Sequence, residues 1–570
     1  MNSDGKAVEK KTLRILPGVV IVVIQWFMWL ILPLIAPVDE VTMASVAGGV
    51  LGGIAVALWW LFWSKAQIID RVGAILLSII SLLVTALFVD ISISTSFMGL
   101  MLIMYSFPVM SLALVVSAAI TRNLPDANRR AVIAGAILLA AGVFLFIKTE
   151  GLTGAFRQEI AWRWSTTAEQ KLLDVSGNES MGAAVKTKDT GEWPGFRGKD
   201  RDGVAGGIKI SADWKATPPV LLWKRQVGPA CSSIAAGGGL IYTQEQRGEN
   251  EAVTCYSLDT GKPVWMHTNK ARFWDSHVGA GPRGTPALYK GRVYTFGGTG
   301  ILNVLDAVKG TLVWSRDVSK DADVKALTWG FSSSPLIYGN MVYVAAAGKM
   351  AAYDLASGKP KWFGPEGGKC YSSPHLVTIS GVPQILLLSE PGAVSFNPLD
   401  GKVLWTYPWK CEDRVLQPLL TGDGGILLSV NLQEARRIDV SAEKGKNWKV
   451  KEGWVSSAVK PNFNDYALAK GYAYGYNGVS LVCVDVKDGT RKWKGGNYGG
   501  QLILIAESGL LLVASEAGEL VLVEAAPQGL KELAKFPAIK GRIWNHPALA
   551  GDIFLVRNSN EMAAIRLPKK

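Results

Sequence analysis

Seven short segments carry the residue types best suited to holding a ligand. They are WDSHVGAGPRGTP (274–286), WGFSSSP (329–335), CYSSP (370–374), CEDRVLQP (411–418), KPNFND (460–465), NYGGQ (497–501) and IWNHP (543–547). From them come Arg283, Trp329, Tyr371, Gln501, Asn545 and His546, with Gln417 and Asn462 beside them. Indole and phenol faces give a flat molecule a surface to stack on. A guanidinium and several amides give carboxylates their partners. The set suits a flat polycarboxylate. The same residues have a structural use: Ser-Ser-Pro stiffens and seals the start of a strand, and a His between Asn545 and Pro547 satisfies a backbone carbonyl. No metal ligands are assigned. The chain has no C-x-x-C, no H-E-x-x-H, no Walker-type loop and no C-x-x-C-H of covalent haem.

A repeat of roughly 40–50 residues places these segments round one axis. VLDAVKGTLVW (304–314) returns as AYDLASGKPKW (352–362) and CVDVKDGTRKW (483–493). Within 284–317 four strand patterns fit, at 285–289, 292–297, 301–306 and 311–316, with no helical periodicity between them. Unit one keeps Gly261 and Trp265, its Asp displaced to 259. Units two, three and four carry Asp306–Gly310–Trp314, Asp354–Gly358–Trp362 and Asn397–Gly401–Trp405. Unit five is degenerate, with Asp439 and then Trp454 after an insertion. Unit six is Asp485–Gly489–Trp493, unit seven (519–536) has lost the Asp and the Trp, and unit eight (543–567) stops after three strands. VLLWKR (220–225) supplies its fourth strand, which closes the ring and leaves no free edge.

The expected fold is therefore an all-β eight-bladed propeller. Asp or Asn sets the turn, Gly supplies the positive φ, and Trp wedges against the next blade. Recurrence marks these residues as structural, since a catalytic group is needed once and a brace in every blade.

The D-x3-G-x3-W tandems resemble the pyrroloquinoline-quinone (PQQ) type propeller repeat over about 193–567. Quinoprotein alcohol and glucose dehydrogenases share that repeat with BamB, the propeller lipoprotein of outer-membrane protein assembly. EWPGFRGKDRDGV (192–204) and WNHPALAGDIFLVRN (544–558) resemble the opening and closing of bacterial PQQ-binding-like propellers. The resemblance implies PQQ with Ca²⁺ as the cofactor to test. In a dehydrogenase of this type Asp275 or Asp413 would be the general base. Two features depart from the pattern: there is no Cys-Cys pair, and no acidic cluster stands where the first strands begin. They favour a ligand- or protein-binding scaffold module, with a PQQ-dependent sugar or alcohol dehydrogenase as the alternative.

The first 150 residues read differently. Apolar runs near 15–37, 42–63, 72–91, 97–120 and 131–148 each approach the ~20 residues a spanning helix needs. No Lys, Arg, Asp or Glu falls in mid-span, which argues against an ion pathway. Gly48, Gly49, Gly52 and Gly53 read as a helix-packing face. Lys6, Lys10, Lys11 and Arg14 precede the first run, Lys65 and Arg71 follow the second, and Arg122, Arg129 and Arg130 follow the fourth. Positive loops stay cytoplasmic. The expectation is a multi-pass inner-membrane protein with its N-terminus inside and its propeller on the periplasmic side. Five such spans resemble the anchor of membrane-bound quinoprotein glucose dehydrogenase.

The expected domains are 1–148 (five transmembrane helices), 149–192 (juxtamembrane connector) and 193–570 (propeller). The connector combines an interfacial Trp-rich stretch, 161–173, with a flexible linker. Expected partners are the lipid bilayer, a periplasmic protein or small molecule, and, for a dehydrogenase, membrane quinone; nucleic acid is excluded on that side. The formal net charge of +13 lies mostly beyond residue 150 and suits anionic headgroups or a solvated surface. Five cysteines leave at least one unpaired. Cys255 and Cys483 read as core residues, and Cys370 and Cys411 occupy comparable places in neighbouring units.

Overall fold

Aspartate, glycine and tryptophan do in the folded chain what their spacing predicts. In the computed structural model, which describes residues 13–35, 39–153, 158–176, 182, 192–410, 413–443 and 446–570, Asp306 Oδ1 accepts the N–H groups of Val308 (3.0 Å) and Lys309 (2.8 Å). The Gly310 N–H donates to Asp306 O at 2.9 Å, and Gly310 has φ +70°. Asp354, Asn397 and Asp485 make the same bond to the second N–H along. In unit one Ser257, rather than Asp259, takes this place and accepts from Thr260 N.

The chain divides into two compact units, Met1–Ser165 with Ser276–Val278, and Thr166–Asp275 with Gly279–Lys570. The second unit holds eight blades. Seven are antiparallel four-stranded sheets and one has a fifth strand. Blades 1 to 7 begin at Ala235, Ala287, Leu336, His375, Leu419, Ala467 and Gln501, and blade 8 at Ala548. The fourth strand of blade 8 is Val220–Gln226, paired antiparallel with Glu561–Arg566. This is the ring closure expected from VLLWKR. The fifth strand was not expected: Val204–Ala205 runs parallel to Leu504–Ile505 in blade 7.

Six tryptophans brace the blades. Trp223, Trp265, Trp314, Trp362, Trp454 and Trp493 each donate the indole N–H to a carbonyl of the following blade, at 2.7 to 3.2 Å. Each of the first five lies against that blade's turn glycine. A methyl group added at Gly310 would stand 2.4 Å from the Trp265 ring. Burial of a ring this size contributes a few kcal/mol. Trp405 departs from the rule and donates to Gln384 in its own blade at 2.6 Å. The physical reason is blade 5, which has a long hairpin, Ala435–Glu443 with Lys446–Ser456, where blades 1 to 4 and 6 have a tight glycine turn.

Among the described residues of the first unit, five helices are long and apolar enough to cross a membrane: Leu16–Ile35, Ala44–Trp63, Ile68–Ala86, Met101–Ile120 and Asp126–Leu145. The chain is a multi-pass membrane protein. The glycine face packs as expected: Gly48 and Gly52 meet Met28 and Gln25, and Gly49 and Gly53 meet Pro108 and Phe107. After the fifth helix, Ile147–Leu152 pairs with Gln158–Trp162, and Trp162 stacks on Trp164 with ring centres 5.2 Å apart. A short helix, Ala168–Ser176, follows. Most of the expected linker, 177–181 and 183–191, lies outside the described residues.

Cys255 and Cys483 are fully buried, and Cys370 is unbridged. Cys411 lies outside the described residues.

Candidate functional site

Each inner strand is preceded by a lead-in residue whose polar atoms reach the neighbouring blade. Ser233 N donates to Thr285 Oγ1 (3.3 Å), Thr285 N to Ser334 Oγ (2.9 Å), and Ser334 N to Ser373 Oγ (2.8 Å). Gln417, its amide turned to satisfy both atoms, bonds the N–H and the carbonyl of Ser373 at 2.9 Å each. Gln417 N donates to Asp465 Oδ1 at 2.8 Å. Asp465 meets His546 Nε2 at 3.3 Å, and Ser233 Oγ donates to His546 O. In blade 7 Gln501 bridges the gap, donating to Phe463 O (3.2 Å) and Trp544 O (3.3 Å). The result is a hydrogen-bonded belt round the axis. Pro after Thr285, Ser334, Ser373, Gln417 and His546 fixes the backbone at each step.

A strap crosses this belt. Residues 193–205 enter beside blade 1, where Trp193 and Ala236 exchange backbone bonds of 2.9 and 2.8 Å. Arg197 reaches blade 6, donating to Tyr466 O with its Nε 3.8 Å from Asp465. Arg201 reaches blade 3, donating to Pro335 O (2.9 Å) and Ser334 O (3.1 Å). Phe196 packs edge-on against His546, ring centres 5.0 Å apart. The strap then leaves as the extra strand of blade 7. Both guanidiniums are buried, at 3 % and 7 % exposure. The small Gly198 and Gly203, both at positive φ, let so short a segment double back inside the ring.

Charge at this centre is finely set. Burial works against the Asp465 carboxylate, yet Arg197, His546 and the Gln417 N–H outweigh it and hold its pKa below the usual range. Burial, then Arg197, lowers Arg201 to about 9. Burial, then Arg201 and Arg197, lowers His375 to about 3, so its imidazole is neutral. His546 is also lowered, by burial and Arg197 against the pull of Asp465.

The sequence-predicted residues fall into two groups. Arg283, Trp329 and Tyr371 belong to the lead-ins of blades 2, 3 and 4. Trp329 and Tyr371 form a tilted ring pair with centres 4.8 Å apart. Arg283 pairs with Asp275, donates to Gly279 O and Gly281 O at 2.8 Å each, and lies over Phe273. Gln501, Asn545 and His546 form the second group. Asn545 donates to Ser232 O (2.7 Å) and Ala230 O (3.2 Å), tying blade 8 to blade 1. Asn462 is half-buried; the amide that turns inward from that segment is Asn464, which donates to Gly500 O at 2.5 Å. Asp413 has φ +48°, a conformation rare outside glycine.

Three central residues were not singled out from the sequence: Arg197, Arg201 and Asp465. A signal existed, since two arginines stand four apart among glycines in the opening of the repeat region, EWPGFRGKDRDGV. Nothing in a linear pattern says that a segment folds into a channel.

The donor set gives calcium little to hold on to. Among the described residues no three His, Cys, Asp or Glu side chains come together as a cation shell, whereas Ca²⁺ takes six to eight oxygen ligands. The cation and amides that suited a polycarboxylate already bond protein groups, with Arg283 Nε and Gln501 Oε1 left buried without a hydrogen-bond partner. Among the described residues, the donors do not fit a calcium–PQQ pair without rearrangement.

A family model described as outer membrane protein assembly factor BamB matches residues 249–495. The propeller carries PQQ-like repeats. Among solved structures, the quinohemoprotein alcohol dehydrogenase from Comamonas testosteroni is similar at 14 % identity and TM-score 0.50, with 71 % of this chain and 85 % of that chain covered. BamB from Moraxella catarrhalis is similar at 14 % identity and TM-score 0.44, covering 61 % of this chain and 98 % of that one. No curated protein matches. An enzyme and an assembly factor share the PQQ-like fold, so the fold does not choose between these roles.

Proposed function

We propose that this PQQ-like propeller is a membrane-tethered binding module. Its five-helix anchor holds the propeller on the periplasmic side, with the N-terminus in the cytoplasm, and the lead-in face takes up a small molecule or a segment of a periplasmic protein. One observation carries this reading. Gln501, Asn545 and His546 bond across neighbouring blades and Arg283 bonds within its own lead-in, while the half-buried Trp329 beside Tyr371 offers an aromatic surface. Such a surface binds planar or apolar groups by stacking.

The competing reading is a PQQ-dependent dehydrogenase of sugars or alcohols that passes electrons to membrane quinone. It rests on the order of five spans followed by an eight-bladed propeller, and on the same aromatic pair, with Asp275 or Asp413 as base. Purified full-length protein titrated with PQQ and Ca²⁺ separates the two. Absence of saturable PQQ binding, with no dye reduction across sugars and alcohols, is the result expected. Stoichiometric PQQ retention with substrate-dependent dye reduction would overturn the binding-module reading. Reporter fusions after Lys570 test the orientation: alkaline phosphatase is expected to be active there and a cytoplasmic reporter silent.

A further inference from the structure

We propose that the furrow between the first two spanning helices is a binding site for one anionic phospholipid. The furrow encloses about 410 Å³, with walls from Pro17, Ile21, Ala55, Leu58 and Trp59, Trp63 at its edge and Arg14 at its end. Its shape comes from the sequence. Gly18 lets Trp59 lie against the first helix, since a methyl group there would stand 2.6 Å from the ring. The Trp59 indole N–H donates to Arg14 O at 3.1 Å, and Arg14 N donates to Ser64 O at 3.0 Å. These bonds fix Arg14 at the joint end of both helices. Trp59–Trp63 is wound as a π-turn, which adds a residue to the turn.

The walls fit an acyl chain and the end fits a phosphate. Leu58 and Trp63 are 46 % and 60 % exposed on the face of a spanning helix, where the solvent is lipid. Trp is favoured at the depth of the headgroups. This end of the bundle gathers Arg14, Lys65, Arg71, Arg122, Arg129 and Arg130 against Asp70 and Asp126. That imbalance selects an anionic headgroup over a zwitterionic one. The N-terminus of the first helix adds its own positive field. A second furrow of about 220 Å³ opens at the same end between the third and fifth helices, beside Arg130. Its arginine is already engaged by Asp70 and by Gln67 at 2.7 Å, so the Arg14 furrow is the better headgroup site.

Native mass spectrometry of the detergent-purified full chain tests this with dioleoyl phosphatidylglycerol and dioleoyl phosphatidylcholine at equal concentration. Wild type is expected to retain the anionic lipid at least fivefold more than the zwitterionic one. Arg14→Gln, an exposed substitution, is expected to bring the two to parity with phosphatidylcholine unchanged. Ala55→Phe, which fills the furrow, is expected to lower retention of both. Equal retention of the two lipids by wild type overturns the proposal, as does an undiminished preference in Arg14→Gln. So does extraction of a neutral isoprenoid in place of a phospholipid from freshly purified protein.

Discussion

Asp465 and His546 meet at 3.3 Å although blade 7 stands between their blades. The carboxylate also takes the Gln417 N–H at 2.8 Å and faces Arg197 of the strap. One buried anion thus joins belt, strap and ring closure. Asp465→Asn should lower stability by about 3 kcal/mol, because it leaves the Arg197 guanidinium buried without a counter-charge. His546→Gln should cost about 1 kcal/mol, since it removes a bond and leaves no bare charge. Chemical denaturation of the two variants in one detergent checks the order; equal losses would mean that Asp465 does not hold the strap.

Arg201 ties the strap to blade 3 through two carbonyls. Arg201→Met keeps the stem and removes both bonds. Backbone exchange in the 193–205 peptide should then rise at least tenfold relative to wild type, with blades 4 and 5 little changed. Hydrogen–deuterium exchange reads this directly, and uniform loosening of all blades would contradict a local strap.

Two glycines separate backbone strain from steric contact. Gly310 has φ +70° and the Trp265 ring against it; Gly291 has φ +73° and open space where a side chain would go. Gly291→Ala should cost about 1 kcal/mol, the left-handed penalty alone. Gly310→Ala should cost about 3 kcal/mol, because Trp265 must also move. Comparable melting losses would remove the bracing role given to the indole.

His375 and Glu251 respond to pH in opposite directions. Between about 3 and 6.5 the unfolded chain protonates His375 and the folded chain does not, so its effect is to lower stability as pH falls through that window. Burial raises Glu251 from 4.5 to about 7. Its folded form holds a proton that the unfolded form has lost, so its contribution is full below about 4.5 and is lost as pH rises through 7. Glu251→Gln fixes the neutral state. Thermal melts should show the variant gaining on wild type by on the order of 2 kcal/mol at pH 8, with the gap closing at pH 4.5.

Trp329 and Tyr371 are the part of the lead-in face given over to binding in the proposed function. Trp329→Ala should abolish quenching of protein fluorescence by a bound planar ligand while shifting the melting temperature by less than 2 °C. A large loss of stability instead would return the residue to the framework.

The eight units, their turns and the closing strand were legible in the sequence because each depends on local spacing. Asp306, Gly310 and Trp314 sit within one hairpin, and repetition multiplies a weak signal. The five spans were legible for the same reason, since length and apolar content suffice. The bonding partners of the candidate binding residues were not legible there. Arg283 and Asn545 looked like ligand donors because residue type shows what a side chain offers and not which neighbour has already taken it. Asp275, eight residues before Arg283, is brought to it by the Trp274–Ala280 hairpin, and the carbonyls of Ala230 and Ser232 reach Asn545 only when blade 8 closes on blade 1.

By itself, then, the sequence determined the repeat, the brace and the membrane anchor, all properties of short windows. The tertiary structure alone decided the centre. Arg197 lies 268 residues from Asp465 in the chain, and Asp465 lies 81 from His546. No periodicity encodes such distances. They are fixed when the ring closes, because a propeller brings every lead-in to one axis, where the WPGFRGKDRDGV strap crosses it.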